Sequence, residues 1–86
     1  MKIDYTKSFI KQYKKLSPKT QDQFKQKLKI FDKNNHHPSL NNHALRGKYQ
    51  GFYSINVNGD VRALYTKNGG TIMIFGFIGT HSQLYG

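Results

Sequence analysis

Cysteine, tryptophan and glutamate are absent from these 86 residues, and proline occurs only twice. Without cysteine there is neither a disulfide framework nor a thiolate metal site. No stretch approaches the roughly 18 apolar residues of a membrane-spanning helix, and the opening "MKIDYTKSF" lacks the apolar segment of a secretion signal. The expectation is a soluble, cytoplasmic protein with no membrane partner. The missing glutamate matters most. Four aspartates (Asp4, Asp22, Asp32 and Asp60) stand against fourteen Lys and Arg, so the net charge is +10 and the isoelectric point is near 10. Like charge at that density works against the compact state and confers affinity for polyanions. The partners this implies are nucleic acid, an acidic protein, or both in turn.

What is present suffices for one small domain, residues 1–86. Hydrophobic residues make up 36%, and the six Phe and six Tyr each bury a large area. "KIDYT" alternates and reads as a short edge strand. After it, Phe9, Ile10, Tyr13 and Leu16 recur at helical spacing, with lysines around the other side. In "LSPKT" one helix stops and another starts, since Ser17 suits an N-cap and Pro18 the first helical position. Phe24, Leu28 and Phe31 form the stripe of the second helix, which runs out at the loop "DKNNHHPSLNN". Two Asn-Gly turns, "NGD" at 58–60 and "NGG" at 68–70, then separate strand-like runs. The last run, "TIMIFGFI", is apolar on both faces and reads as a central strand. The fold class expected is α+β, in the order β-α-α-β-β-β, with a further short strand around 44–47. A small twisted antiparallel sheet carries the N-terminal two-helix hairpin on one face. Its other face is left open and basic, suited to holding a strand of RNA.

Two blocks, "NHALRGKYQGFYSINVNGDVRALY" at 42–65 and "IGTHSQLYG" at 78–86, carry a family resemblance across the sheet half of the chain. The arrangement resembles the RelE/ParE superfamily of type II toxins, and more closely its YafQ branch of ribosome-dependent mRNA interferases. The resemblance implies a RelE-like fold and a translation-inhibiting endoribonuclease working on mRNA in the ribosomal A site, in contact with ribosomal RNA. It also implies neutralisation by a cognate acidic antitoxin. Residue by residue, His43 and His81 fall on catalytic histidines of the YafQ type, and Asp60 falls on that branch's functional aspartate. Arg62 matches the RelE-type arginine at the scissile phosphate. Tyr85 takes the place of the terminal aromatic. Ser54 and Asn56 depart from the pattern, standing where RelE has lysines and YafQ an aspartate and a histidine. Asn56, Arg46 and Lys48 are the expected RNA contacts.

The chemistry is coherent without the family. Cleaving RNA by its own 2′-hydroxyl needs a base, an acid for the leaving 5′-oxygen, and support for a charged phosphorane. Two imidazoles suit the acid and base roles because they titrate near working pH. Arg62 offers a fixed cationic fork for phosphate oxygens. Asp60 can orient a histidine, and Tyr85 can stack a base. The scheme requires no metal and no other cofactor. Each residue also has an ordinary reading. Loop histidines such as His36 and His37 are polar surface, Asp60 serves the turn, Arg62 snorkels from its strand, and Tyr85 packs as a tail. Two rival functions share the fold: a ParE-like toxin that inhibits gyrase without nuclease activity, and a nuclease-dead basic binding module.

Overall fold

Thr6 ends the first strand and begins the first helix. The computed structural model describes residues 2–86, and in it β1 spans Lys2–Tyr5 and α1 spans Lys7–Lys14. The Thr6 hydroxyl accepts from the N–H of Phe9 (3.1 Å), satisfying one unpaired donor of the helix start. The same hydroxyl donates to the carbonyl of Gly76 (2.9 Å), which pins the strand-to-helix corner to the sheet. Ser17 caps α2 (Pro18–Lys33) in the same way, with Pro18 in its first turn. The two helices are laced at their turn: the Tyr13 hydroxyl donates to Gln21 O (3.2 Å), and Gln21 Nε2 donates to Tyr13 O (2.9 Å). Among the described residues no helix is long and apolar enough to cross a membrane.

The remaining strands are β2 (His43–Ala44), β3 (Tyr53–Asn56), β4 (Val61–Asn68) and β5 (Ile72–Thr80), followed by a short helix, α3 (His81–Tyr85). The five strands form one sheet in the order β1-β5-β4-β3-β2. The α+β class and the helical hairpin on one face are as expected, with two amendments. The sheet is mixed, because β1 lies parallel to β5 while every other pair is antiparallel. A parallel pair requires a long crossover, and here everything between Tyr5 and Ile72 is the crossover. The short strand before β3 is only His43–Ala44, and Gly47–Tyr49 form a 3₁₀ turn instead.

The core lies between the hairpin and the sheet. Phe9, Phe24 and Phe31 from the helices meet Ile55, Ala63, Tyr65, Phe75 and Ile78 from the strands. Phe31 and Phe75 are wholly buried, with their rings edge-on 5.7 Å apart. Leu40, from the loop after α2, seals one end. Ile10 departs from the stripe expected of α1: it is 44% exposed, on the rim of a groove with Tyr5 and Tyr13. Tyr65 is buried with its hydroxyl paired to the Asn42 amide (2.8 Å to Nδ2).

Candidate active site on the second face of the sheet

Residues directly opposite each other in an antiparallel ladder share a face. Asn56, Arg62 and Gly79 form one such row across β3, β4 and β5. Ser54, Leu64 and Phe77 form the next, and His43 on β2 extends it to the sheet edge. Since Ala63 and Tyr65 point into the helical core, both rows lie on the opposite face. The fold therefore places His43, Asn56 and Arg62 on the face away from the hairpin.

That face is not fully open. Tyr49, Leu64 and Leu84 are buried there in a second apolar cluster, with Leu45, Phe52 and Phe77 packed around them. The cluster seats the residues after β5 as the short helix α3. Thr80 and Gln83 build a capping box: Thr80 Oγ1 accepts from Gln83 N (3.1 Å), and Gln83 Oε1 accepts from Thr80 N (2.8 Å). To do so the Gln83 side chain crosses Gly79, where a Cβ would meet Oε1 at 2.9 Å. At the other end, Leu84 O accepts from the Tyr49 hydroxyl (2.6 Å) and from Lys48 Nζ (3.3 Å).

His81 opens this helix and its ring lies against that of Tyr85, centroids 4.7 Å apart and tilted 31°. Tyr85 in turn meets Tyr49 edge-on at 5.2 Å, yet stays 40% exposed. His43 is exposed, and its Nδ1 lies 2.7 Å from Asn41 O. A carbonyl only accepts, so Nδ1 carries the proton and the neutral ring's lone pair is at Nε2. Laterally, His43 stands three strand spacings from β5, about 14 Å. Arg62 Nη1 donates to Asn58 O (2.7 Å) and to Val61 O (3.1 Å). Beside it in the ladder, Asn56 Oδ1 is buried without a hydrogen-bond partner.

The structure thus brings His81 to Tyr85 and Arg62 to Asn56. His43 lies on the same face, with no hydrogen bond or ring contact to any of them among the described residues. Asp60 is exposed at the tip of the β3–β4 turn, and its backbone N–H donates to Asn58 Oδ1 (2.9 Å). Among the described residues no hydrogen bond joins Asp60 to either histidine, so the expected orienting contact is absent. Asn58 accounts for the turn chemistry, which leaves the Asp60 carboxylate at the surface. Arg46 is exposed at the start of the 3₁₀ turn, and Lys48 lies over the Tyr49 ring (5.3 Å) while reaching α3.

Against this geometry, the family model for YafQ, the bacterial toxin of type II toxin-antitoxin systems, matches residues 1–86. The chain belongs to the YafQ family. This YafQ-family toxin is similar in structure to YafQ from E. coli strain BL21(DE3), at 26% identity over 98% of this chain and 97% of that one, with a TM-score of 0.76. It is similar also to a chain of the E. coli DinJ–YafQ toxin-antitoxin complex, at 27% identity over 98% and 96%, with a TM-score of 0.73. The YoeB–YefM complex of Staphylococcus aureus contains a chain that shares the fold at 20% identity, over 94% and 97%, with a TM-score of 0.74. No curated protein sequence matches significantly.

Three residues of this YafQ-family toxin that shape the site were missed in the sequence. Thr80 and Gln83 fit the spacing of a capping box, which is a readable signal. In the sequence Asn58 carries only the signal of an Asn-Gly turn. In fact its Oδ1 accepts from the N–H groups of Asp60 and Val61, and its Nδ2 donates to Gln23 on α2 (2.9 Å). Nothing in the sequence marks Gln23 as its partner.

Proposed function

We propose that this YafQ-family toxin is a ribosome-dependent mRNA endoribonuclease, a hydrolase that stops translation by promoting attack of a 2′-hydroxyl on the adjacent phosphate. The observation that carries this reading is the shared face: Arg62 and Asn56 in one ladder row, His43 extending the next, and α3 seating His81 and Tyr85 at the end of β5. In this reading His43 is the base, because the Asn41 carbonyl holds its proton on Nδ1 and leaves Nε2 to accept. His81 is then the acid that protonates the leaving 5′-oxygen. Arg62 faces the phosphorane, Tyr85 stacks a base, and the unpartnered Oδ1 of Asn56 accepts from the nucleotide. Arg46 and Lys48 add phosphate contacts at the margin. Asp60, clear of both imidazoles, approaches the nucleic acid or the ribosome from the turn tip. The ribosome is the proposed site of work, so the protein acts in the cytoplasm.

The neutralising partner in this reading is an acidic antitoxin, as the E. coli relative is found with DinJ. Purified protein incubated with translating ribosomes and mRNA provides the test. Codon-phased cuts support the nuclease. Intact RNA together with blocked supercoiling by gyrase supports the ParE-like alternative, and neither effect leaves a binding module.

A further inference from the structure

Arg62 is oriented from the far side of the sheet. Gln23 sits on α2, in the helical layer, while Arg62 lies on the opposite face. Between them stands Asn58, which bonds in both directions. Its Nδ2 donates to Gln23 Oε1 (2.9 Å), its Oδ1 accepts from the N–H groups of Asp60 (2.9 Å) and Val61 (2.7 Å), and its carbonyl accepts from Arg62 Nη1 (2.7 Å). A second Nη1 contact goes to Val61 O (3.1 Å). Both N–H groups of Nη1 are thereby engaged. A guanidinium has five donors in a rigid fork, so fixing Nη1 leaves the Nε–Nη2 edge, the bidentate edge that matches a phosphate.

We propose that Asn58 and Gln23 are positioning residues that hold the Arg62 guanidinium with its Nε–Nη2 edge toward the scissile phosphate. The inference rests on the nuclease reading for its purpose, but the coupling itself is independent of it. The carbonyl of Asn58 is only as fixed as its turn, and Asn58 ties that turn to α2. A loosened carbonyl lets the guanidinium wander, and small misplacements of a transition-state contact cost rate far more than binding.

The test uses three variants of the full chain. Gln23→Arg sets a donor against the Asn58 Nδ2 donor, and Asn58 cannot flip because its Oδ1 already accepts from the N–H groups of Asp60 and Val61. Gln23→Leu removes the acceptor altogether. The double variant Asn58→Asp with Gln23→Arg restores the link as an ion pair. The chain has only two arginines, Arg46 and Arg62, so side-chain Nε–H relaxation by NMR reads Arg62 directly, with Arg46→Lys for assignment. Both single variants should lower the Arg62 order parameter and slow single-turnover cleavage about tenfold at unchanged ribosome affinity, and the double should recover both. If Arg62 is equally ordered in all variants, the proposal is wrong even where cleavage falls. If the order changes as expected but the wild-type protein cuts no RNA, the positioning chain stands and the nuclease reading fails.

Discussion

Two carbonyls of its own hairpin hold one side of the Arg62 guanidinium fork, which in the proposed nuclease is charge already oriented for a phosphorane. Preorganised donors of this kind act on the transition state more than on the bound substrate. Arg62→Ala should therefore cost about 2–4 kcal/mol of transition-state stabilisation while leaving antitoxin capture nearly intact. Single-turnover cleavage on the ribosome measures the first, and an unchanged rate removes Arg62 from the site. Tyr65 makes a different prediction. Burial first, and then the neighbouring Tyr53, raise its pKa above the ordinary 10.0, against a partial lowering by the Asn42 hydrogen bond. The folded state thus favours the neutral phenol. That contribution is complete below pH 10.0 and is lost as the pH climbs past it, because the unfolded chain gives up the proton first. Tyr65→Phe should be less stable at neutral pH, having lost the Asn42 bond, yet show a shallower decline at alkaline pH. Melting temperature against pH for both proteins decides, and parallel curves refute it.

Among the elements, α3 has the narrowest support. Five residues do not sustain a helix alone; Leu84 in the second cluster, the capping box and two donors on Leu84 O hold it. Leu84→Ala should cost about 2–4 kcal/mol, concentrated at this end of the molecule, and release His81 and Tyr85. Hydrogen exchange should show the amides of 82–86 opening while those of β4 stay protected. Uniform loss of protection contradicts this local reading. The same element marks where sequence reasoning stops. The long helices were legible because Phe24, Leu28 and Phe31 repeat with the helical period and Ser17 carries cap chemistry. The hairpins were legible because Asn-Gly turns are local. A five-residue helix shows no period, and its seat is assembled from Leu45, Tyr49, Phe52 and Leu64, whose burial on the second face depends on register. The partner of β1 lies about 70 residues away along the chain, beyond any local signal. For the site, the residue types were legible, while the row that joins Asn56 to Arg62 depends on strand register. The Gln23–Asn58 link and the isolation of Asp60 from both histidines arise only in three dimensions.

Over the whole molecule, a net charge of +10 on 86 residues works against an aromatic core that holds the layers together. An acidic partner relieves that repulsion, so association with the antitoxin should be fast and steeply salt-dependent. Stopped-flow association at low and high ionic strength checks this, and equal rates in both exclude electrostatic steering. The central claim is the nuclease. It is tested most directly by mapping the 5′ ends of mRNA fragments from ribosomes incubated with the wild-type protein, His43→Ala or His81→Ala, each confirmed folded by its melting temperature. The account predicts codon-phased cuts with the wild-type protein and none with either folded variant. Undiminished cutting by the folded His81→Ala protein, or intact mRNA with the wild type, would contradict it.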